Sequence, residues 1–450
     1  IGKIVIVSQE NDSKFDANGN SQIVIAGAPS ENNGNAVQET GSITATAMTK
    51  PTLRKDYKVV TNDYTMVVTA APTFSYPSAV ALTSDLSQAE LDYNREYSNG
   101  TAVQLSGMAA SRPIRVAEVK AVTKSGSDMS LPASTVTVAS RKTATDGTAK
   151  LNIARITDPE IKKVKVKVRY PSTETGFKDS SEIVLPLHTY NLAVNYDKSE
   201  IVGDDTAKVT VSGGKPGTAA SISLANNISG TAPATFDNSG NAVFTVKGVY
   251  PDATKGFTGT GTVTAASTLA SSNASKSINV KLNQFNCTFS QGPSFAYPST
   301  VATTTTESSA KLDYKRTYNN GLILKDMAPG KSISIASAQL VKADGSRQNW
   351  NGVTLASNTV ASDKTAKLNI AQVSDYNFKK VAVKVNYPST EIGHLTSKEF
   401  ILPLYQYNLA IASDKSEIVG DDTAKVTVSG GKPGTAASIS LANNISGTAP

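Results

Sequence analysis

One segment of 37 residues occurs twice in this 450-residue chain, at 197–233 and again at 414–450, without a single difference. It reads "DKSEIVGDDTAKVTVSGGKPGTAASISLANNISGTAP". Repetition at a fixed offset indicates duplicated structural units and has to be recognised before any other feature of the fold. A chain of this length is also too long for one hydrophobic core. We therefore predict several domains of repeated type.

Weaker matches extend the repeat and define two alternating units. "TAKLNIARITDPEIKKVKVKVRYPSTETGF" from Thr148 corresponds to "TAKLNIAQVSDYNFKKVAVKVNYPSTEIGH" from Thr365, and "FDANGNSQIVIAG" from Phe15 to "FDNSGNAVFTVKG" from Phe236. The offset is 217 in the first match and 221 in the second, so four residues were gained or lost between about 101 and 147, in a predicted loop. The predicted order is a rear part of an A unit at 1–71, a B unit at 72–190, a complete A unit at 191–292, a B unit at 293–407 and a front part of an A unit at 408–450. We expect a longer natural chain, or neighbouring molecules that complete the two partial units.

Hydrophobic alternation predicts the fold class. In "AKVTVSG", Val209 and Val211 share one face and Lys208 and Thr210 the other, the period-two pattern of a half-buried strand. The following "GGKPGT" predicts a type II turn, because proline fixes φ at the second position and glycine permits a positive φ at the third. Short alternating segments between turns predict an all-β fold of tandem immunoglobulin-like antiparallel sandwiches in an elongated array.

Unit B shows the same alternation in "STVTVAS", "TAKLNIARI", "KKVKVKVRYPS" and "SEIVLPLHTY". Pro186 and Pro403 indicate an edge strand or a bulge, since proline cannot donate to a central ladder. The stretch "SDLSQAELDYNREYSNG" is compatible with a short helical turn, but its second part, "AELDYNREY", favours a strand.

Three motifs of unit A resemble the bacterial immunoglobulin-like repeats of intimin and invasin type adhesins. They are the opening strand "IVGDDTAKVTV" at 201–211, the hairpin "GKPGTAASISL" at 214–224 and the strand–turn–strand "FDNSGNAVFTV" at 236–246. The match covers unit A, while unit B departs from the pattern. The resemblance implies an extracellular, non-catalytic rod that holds a binding tip away from a cell surface.

Composition and the repeat argue against several functions. The net charge of +7 comes from 44 basic and 37 acidic residues that are dispersed along the chain, unlike the clustered basic patches of nucleic-acid-binding proteins. The two histidines do not recur at matching positions, and Cys287 is the only cysteine, so neither a zinc cluster nor a Cys–His nucleophile is expected. Cys287 is interpreted as a small apolar strand residue. We predict that the chain is not an enzyme, requires no cofactor and does not insert into a membrane.

Recurring carboxylates are the only metal candidates. Asp204 and Asp205 recur as Asp421 and Asp422, near the predicted domain boundaries. Carboxylates near a domain boundary could contribute to a calcium site, which requires six to eight oxygen ligands in total. The alternative is that these side chains are solvated or form salt bridges to nearby lysines.

Two further features are candidate binding sites. Trp350, the only tryptophan, lies in the predicted loop "GSRQNWNG", where it would stack on a sugar or plug the end of its own sandwich. Lys163, Lys165, Lys167 and Arg169 share one face of a predicted strand, which suits an acidic glycan or lipid headgroups. The alternative for this stripe is a solvated sheet face that guards an edge.

The leading functional hypothesis is a stalk segment of a repetitive surface adhesin or extracellular fibre. Its expected partners are a host or neighbouring-cell surface protein or glycan, bound through regions outside these residues, with self-association into fibres as a further expectation and no nucleic acid. The expected location is extracellular, at the cell surface. The alternative is a phage tail-fibre or surface-layer type assembly protein built of the same modules.

Overall fold

The computed structural model describes residues 4–9, 14–30, 32–47, 50–74, 80–295 and 301–448. These residues form 34 β-strands and four three-residue 3-10 helices, at Leu86–Gln88, Asn99–Thr101, Ala133–Thr135 and Glu307–Ser309. Three separate hydrophobic cores are present, one in each B unit and one in the complete A unit. The predicted all-β class of tandem antiparallel sandwiches is confirmed.

The N-terminal segment forms two antiparallel hairpins. Strand β1 (Ile4–Gln9) pairs with β2 (Ile23–Gly27), and β3 (Gln38–Ala47) pairs with β4 (Lys50–Val60). The hairpins correspond to rear strands of the A unit, and Val59, like its counterpart Val280, is buried.

The first B domain is a sandwich of two sheets with one core. Its strands are β5 (Val67–Thr73), β6 (Ala81–Thr83), β7 (Val103–Ser106), β8 (Arg115–Thr123), β9 (Asp128–Ser130), β10 (Val136–Val138), β11 (Ala149–Ile153), β12 (Ile161–Pro171), β13 (Phe177–Asp179) and β14 (Ile183–Pro186). One sheet has the order β10-β11-β7-β5-β6, and the other has the order β13-β12-β8-β9, with β14 also on β12. The alternating apolar residues of β12, such as Val164 and Val166, point into the core.

The complete A domain packs two four-stranded sheets. Its strands are β15 (Ala193–Tyr196), β16 (Glu200–Val202), β17 (Thr206–Ser212), β18 (Ser221–Asn226), β19 (Ile228–Gly230), β20 (Ala242–Gly248), β21 (Phe257–Ala266) and β22 (Ala274–Leu282). The sheet orders are β15-β17-β20-β19 and β16-β22-β21-β18. Val209 and Val211 are buried, as the alternation predicts.

The opening motif "IVGDDTAKVTV" differs from the single predicted strand. It is divided between β16, which runs parallel to β22, and β17 in the opposite sheet. The crossing is made at Gly203, whose φ of +59° lies in the left-handed region that glycine adopts without a Cβ penalty.

The second B domain repeats the architecture of the first. Its strands are β23 (Thr288–Ser294), β24 (Ala302–Thr304), β25 (Tyr318–Lys325), β26 (Ser334–Lys342), β27 (Arg347–Asn349), β28 (Val353–Leu355), β29 (Ala366–Ile370), β30 (Phe378–Pro388), β31 (His394–Thr396) and β32 (Phe400–Pro403). Sheet orders are β24-β23-β25-β29-β28 and β27-β26-β30-β31, with β32 also on β30. Pro186 and Pro403 are the last residues of β14 and β32, which pair with β12 and β30. On the other side their carbonyl oxygens accept hydrogen bonds from the N–H groups of Leu91 and Leu312, so each proline lies where its nitrogen is not needed as a ladder donor.

Two details of the sequence-based prediction need correction. The boundaries at 71/72 and 292/293 fall inside β5 and β23, which pair with strands of the B domains, so each B domain begins several residues earlier. The segment "AELDYNREY" is not a continuous strand: a 3-10 helix precedes it, only isolated bridges form at Leu91 and Tyr97, and Asn94 takes a left-handed φ of 55°. Tyr93 and Tyr97 of this segment are buried in the core, and this burial takes the place of the continuous β-ladder hydrogen bonds that a strand would form.

The C-terminal segment has the sequence of the front of the A domain but not its burial. Strands β33 (Ala410–Ser413) and β34 (Val426–Ser429) pair as β15 and β17 do. Ile418 is 48% exposed, whereas Ile201, its identical counterpart, is fully buried. In the complete domain β22 pairs with the strand that carries Ile201, and the described part of the C-terminal segment contains no equivalent of β22.

Candidate functional site

The first B domain and the complete A domain meet at a buried ion pair. Lys215 Nζ lies 2.5 Å from Asp92 Oδ2, and Tyr190 Oη donates a hydrogen bond of 2.8 Å to Asp92 Oδ1. The side chains of Asp92 and Lys215 are only 4% and 13% exposed. Both oxygens of a desolvated carboxylate therefore have charged or polar partners, one of them supplied by the next domain.

The same contact recurs where the second B domain meets the C-terminal segment. Lys432 Nζ lies 2.6 Å from Asp313 Oδ2, and Tyr407 Oη donates to Asp313 Oδ1 at 2.8 Å. Lys432 also donates to the carbonyl oxygen of Tyr314 at 2.7 Å. We call these two contacts the B-to-A joints.

Local structure positions both charges. Lys215 opens the predicted type II turn, which is closed by a hydrogen bond from Thr218 N to Lys215 O, with Gly217 at φ +69°. The backbone N–H of Asp92 donates to Tyr97 Oη, and burial raises the pKa of Tyr97 to about 12. A neutral phenol thus fixes the backbone of the buried aspartate at all physiological pH values.

Aromatic rings pack beside each B-to-A joint. Phe74 stacks on His188 with 3.4 Å between centroids, and both rings meet Tyr190 edge-on. At the second joint Phe295 stacks on Tyr405 at 3.8 Å, and both meet Tyr407. His188 and Tyr405 occupy equivalent positions of the two B domains. The two joints therefore share a stacked aromatic ring at this position, and they do not share an imidazole.

The opposite junctions, where an A unit leads into a B domain, use a carboxylate clamp. Glu174 accepts hydrogen bonds from the backbone N–H of Asn62 at 2.8 Å and from its Nδ2 at 2.6 Å. Glu391 repeats both contacts with Asn283, at 3.0 and 2.6 Å. We call these the A-to-B joints.

The first clamp includes an additional hydroxyl. Tyr64 Oη donates to Glu174 at 3.1 Å. Burial raises the pKa of Glu174, but the hydrogen bonds from Asn62 and Tyr64 outweigh this effect and hold the pKa below its usual value.

Close backbone approach completes the A-to-B joints. A Cβ on Gly393 would lie 2.0 Å from the carbonyl oxygen of Ala253, and one on Gly176 would lie 2.7 Å from Gly34 Cα. The buried hydroxyl of Ser389 donates to Thr254 O at 3.0 Å. The loops "PSTETG" and "PSTEIG" therefore dock directly on the preceding unit.

Three of the four carboxylates predicted as calcium candidates pair with lysines. Asp204 pairs with Lys331 of the second B domain at 2.9 Å, and this hydrogen bond lowers the pKa of Asp204. The other pairs are Asp205 with Lys198 at 3.7 Å and Asp422 with Lys415 at 3.4 Å, while Asp421 is exposed. Calcium binding stays a prediction, and within the described ranges no three His, Cys, Asp or Glu side chains are grouped to hold a metal ion.

The predicted basic stripe is accompanied by carboxylates. Distances from the stripe to acidic oxygens are 3.3 Å for Lys165 to Asp128, 3.4 Å for Lys167 to Glu118 and 3.3 Å for Arg169 to Asp179, whereas Lys163 is exposed. These carboxylates neutralise part of the positive charge of the stripe, which leaves less of it to attract an acidic ligand.

Trp350 is half-buried and packs against the core of the second B domain, with its ring over Gly352. Cys287 is buried in the same core, and burial raises the pKa of its thiol to about 12. Among the residues that the structure describes, no helix has the length and apolar character needed to cross a bilayer.

The residues of the B-to-A joints were not among the predicted sites. Lys215, Asp92 and Tyr190 all recur in the sequence, so a search for recurring polar residues would have included them. Nothing in the sequence shows that Asp92 meets a lysine 123 positions away.

No protein-family model matches the chain, and no curated protein sequence matches it. Similar solved structures include the Escherichia coli adhesin FdeC, at 11% identity and a TM-score of 0.25 over 77% of this chain and 100% of that one. The Yersinia pseudotuberculosis adhesin InvE has 13% identity and a TM-score of 0.22 over 49% of this chain, which spans 59% of that structure. The cadherin-like domains 1 to 4 of zebrafish RET have 11% identity and a TM-score of 0.24 over 89% and 92% of the two chains. At these values the similarities carry no functional argument.

Proposed function

We propose that this chain is a non-catalytic stalk segment of an extracellular surface adhesin or fibre, in which alternating domains are held in fixed relative orientations. The observation that supports this proposal is the recurrence of one buried lysine–aspartate–tyrosine contact at both B-to-A joints. A catalytic or ligand-binding site would require no such repetition at domain boundaries.

Buried charges make a joint stiff. Bending that separates Lys215 from Asp92 would leave a desolvated carboxylate without its counter-ion, which costs several kcal/mol. The A-to-B joints add a carboxylate clamp and close backbone contacts. With strands rising about 3.3 Å per residue, each domain would add roughly 30 Å of reach.

Distance measurements between spin labels test the stiffness. One label is placed at Lys142 in the first B domain and one at Ser239 in the A domain, both exposed, with Cys287 changed to Ala. We expect a narrow distance distribution that broadens in Asp92→Asn/Lys215→Met. Lys198→Met removes an exposed pair within the A domain and serves as the control. A distribution that is already broad in the unaltered joint would refute a rigid stalk.

Electron microscopy of the purified chain separates the stalk from the assembly alternative. Single thin rods support a stalk. Ordered lattices or polymers would instead favour a surface-layer or tail-fibre type of protein.

A further inference from the structure

Two residues of the second B domain adopt a backbone conformation that favours glycine. Asp326 has φ 72° and Lys364 has φ 66°, while the equivalent positions of the first B domain are Gly107 at 77° and Gly147 at 74°. The equivalence follows from "LSGMA" against "LKDMA" and from "TDGTAK" against "SDKTAK". The two domains therefore share the backbone but not the side chains.

A positive φ is unfavourable for the side chains of Asp326 and Lys364, and the first B domain leaves no space for a Cβ at the equivalent glycines. A Cβ on Gly107 would lie 2.4 Å from the carbonyl oxygen of Thr65, and one on Gly147 would lie 2.2 Å from that of Met108. Strained non-glycine residues persist where the surrounding structure enforces them, and they concentrate at functional sites. Lys315 and Asn320 of the same domain also have a positive φ, so what distinguishes Asp326 and Lys364 is that each replaces a glycine of the first B domain with a charged side chain.

Both residues line one open cavity of about 520 Å³ at the A-to-B joint. This volume lies within the range of small-molecule sites, which occur preferentially between domains. The remaining lining residues are Asn283, Gln284, Phe285, Asn286 and Pro329. The ammonium group of Lys364 lies 5.7 Å from the ring centroid of Phe285.

We propose that this cavity binds a short neutral saccharide. One carboxylate and one ammonium group balance in charge, which disfavours a strongly charged ligand. Asp326 supplies acceptors, Lys364 supplies donors and the amide of Asn286 supplies both, as a set of hydroxyl groups requires. The ammonium group of Lys364 covers one face of the Phe285 ring, so Pro329 offers the apolar surface for the C–H face of a sugar ring.

The walls of the cavity are held in place before any ligand arrives. Gln284 accepts from Gly256 N at 2.7 Å and donates to Ser389 O at 3.2 Å. Thr288 Oγ1 donates to Asp326 Oδ2 at 2.5 Å, which orients the carboxylate. A prearranged site loses less entropy on binding than a mobile one. The inference does not depend on the stalk proposal, because it concerns one cavity and not the stiffness of the joints.

The test uses the full chain and the double variant Asp326→Gly/Lys364→Gly, which restores the residues of the first B domain. Binding of galactose, mannose, N-acetylglucosamine and N-acetylneuraminic acid is followed by saturation-transfer NMR. We expect at least one neutral sugar to bind the unaltered chain and to bind the variant at least about tenfold more weakly, since two polar partners are lost. The variant should unfold at an equal or higher temperature, because glycine relieves the strain.

Lys315→Gly is the matched control, because Lys315 also has a positive φ, 53°, in the same domain but outside the cavity. It should leave sugar binding unchanged. The proposal is overturned if no neutral sugar binds the unaltered chain, if only the acidic sugar binds, or if the double variant binds as well as the unaltered chain.

Discussion

At the scale of single residues, Asp92 and Asp313 behave unlike typical carboxylates. They are 3% and 5% exposed, although aspartate is almost never fully buried unless it is paired. Each is stabilised by a tyrosine hydroxyl from its own linker and a lysine from the following unit. The sequence shows that the aspartate and the lysine are present, but it does not show that they are close in space, because they are 123 residues apart along the chain at the first joint.

Replacing Lys215 with methionine should destabilise the first B-to-A joint. The substitution leaves Asp92 buried without its counter-ion, and losing one partner of a buried pair costs about 3–5 kcal/mol. Calorimetry of the full chain should show a lower unfolding temperature for the domains at this joint. Hydrogen exchange should increase around Tyr190.

A second substitution distinguishes the loss of the pair from the loss of packing. Asp92→Leu combined with Lys215→Met removes both charges, and we expect it to recover most of the lost stability. Equal stability of the unaltered chain and the single variant would show that the pair contributes nothing.

At the scale of elements, the type II turn shows how local chemistry serves a distant contact. Proline and glycine in "GGKPGT" predict the turn, and the structure confirms it. The turn places Lys215 on the neighbouring domain, which local propensity does not encode. In "AELDYNREY" the local pattern predicts a strand, but the structure has none there. Tyr93 and Tyr97 are buried in the core instead.

Gly217→Ala should destabilise the turn by about 1–2 kcal/mol, because an L-residue pays this cost at a left-handed φ. A Cβ at Gly217 meets no atom within 4 Å, so the effect is conformational and not steric. Chemical unfolding of the full chain measures the cost.

Gly100→Ala is the control for the turn, because its Cβ is equally free and its φ is not positive. We expect it to be neutral or slightly stabilising. Equal effects of the two substitutions would mean that the conformation of the turn is not what Gly217 provides.

At the scale of the whole molecule, four joints of two kinds connect the units, and the A-to-B kind contains a titratable clamp. The pKa of Glu174 is lower in the folded chain than its usual value of 4.5. A group with a depressed folded pKa contributes stability that is fully present above the unfolded pKa and is lost as pH falls through the folded pKa. Acid should therefore weaken the first A-to-B joint.

We expect limited proteolysis at residues 61–66 to accelerate as pH falls below about 4.5, measured with a protease active in acid. Glu174→Gln should cleave faster than the unaltered chain at neutral pH and show a weaker dependence on pH, because the amide has one acceptor oxygen. Glu160→Gln alters an exposed carboxylate in the same domain and serves as the control. Cleavage that is independent of pH in the unaltered chain would contradict the role of the clamp.

The sequence alone determined the alternating repeat, the all-β class and most strands of unit A, because these depend on repetition and on period-two hydrophobicity. Only the tertiary structure decided where domains meet, which aspartate is buried and which strand crosses between sheets, because these depend on groups far apart in the chain. Asp92 shows the limit most directly, because the lysine that pairs with it lies 123 residues further along the chain, in another domain. Burial of a charged side chain depends on partners that the packed domains supply, and the spacing of residues along the chain does not reveal those partners.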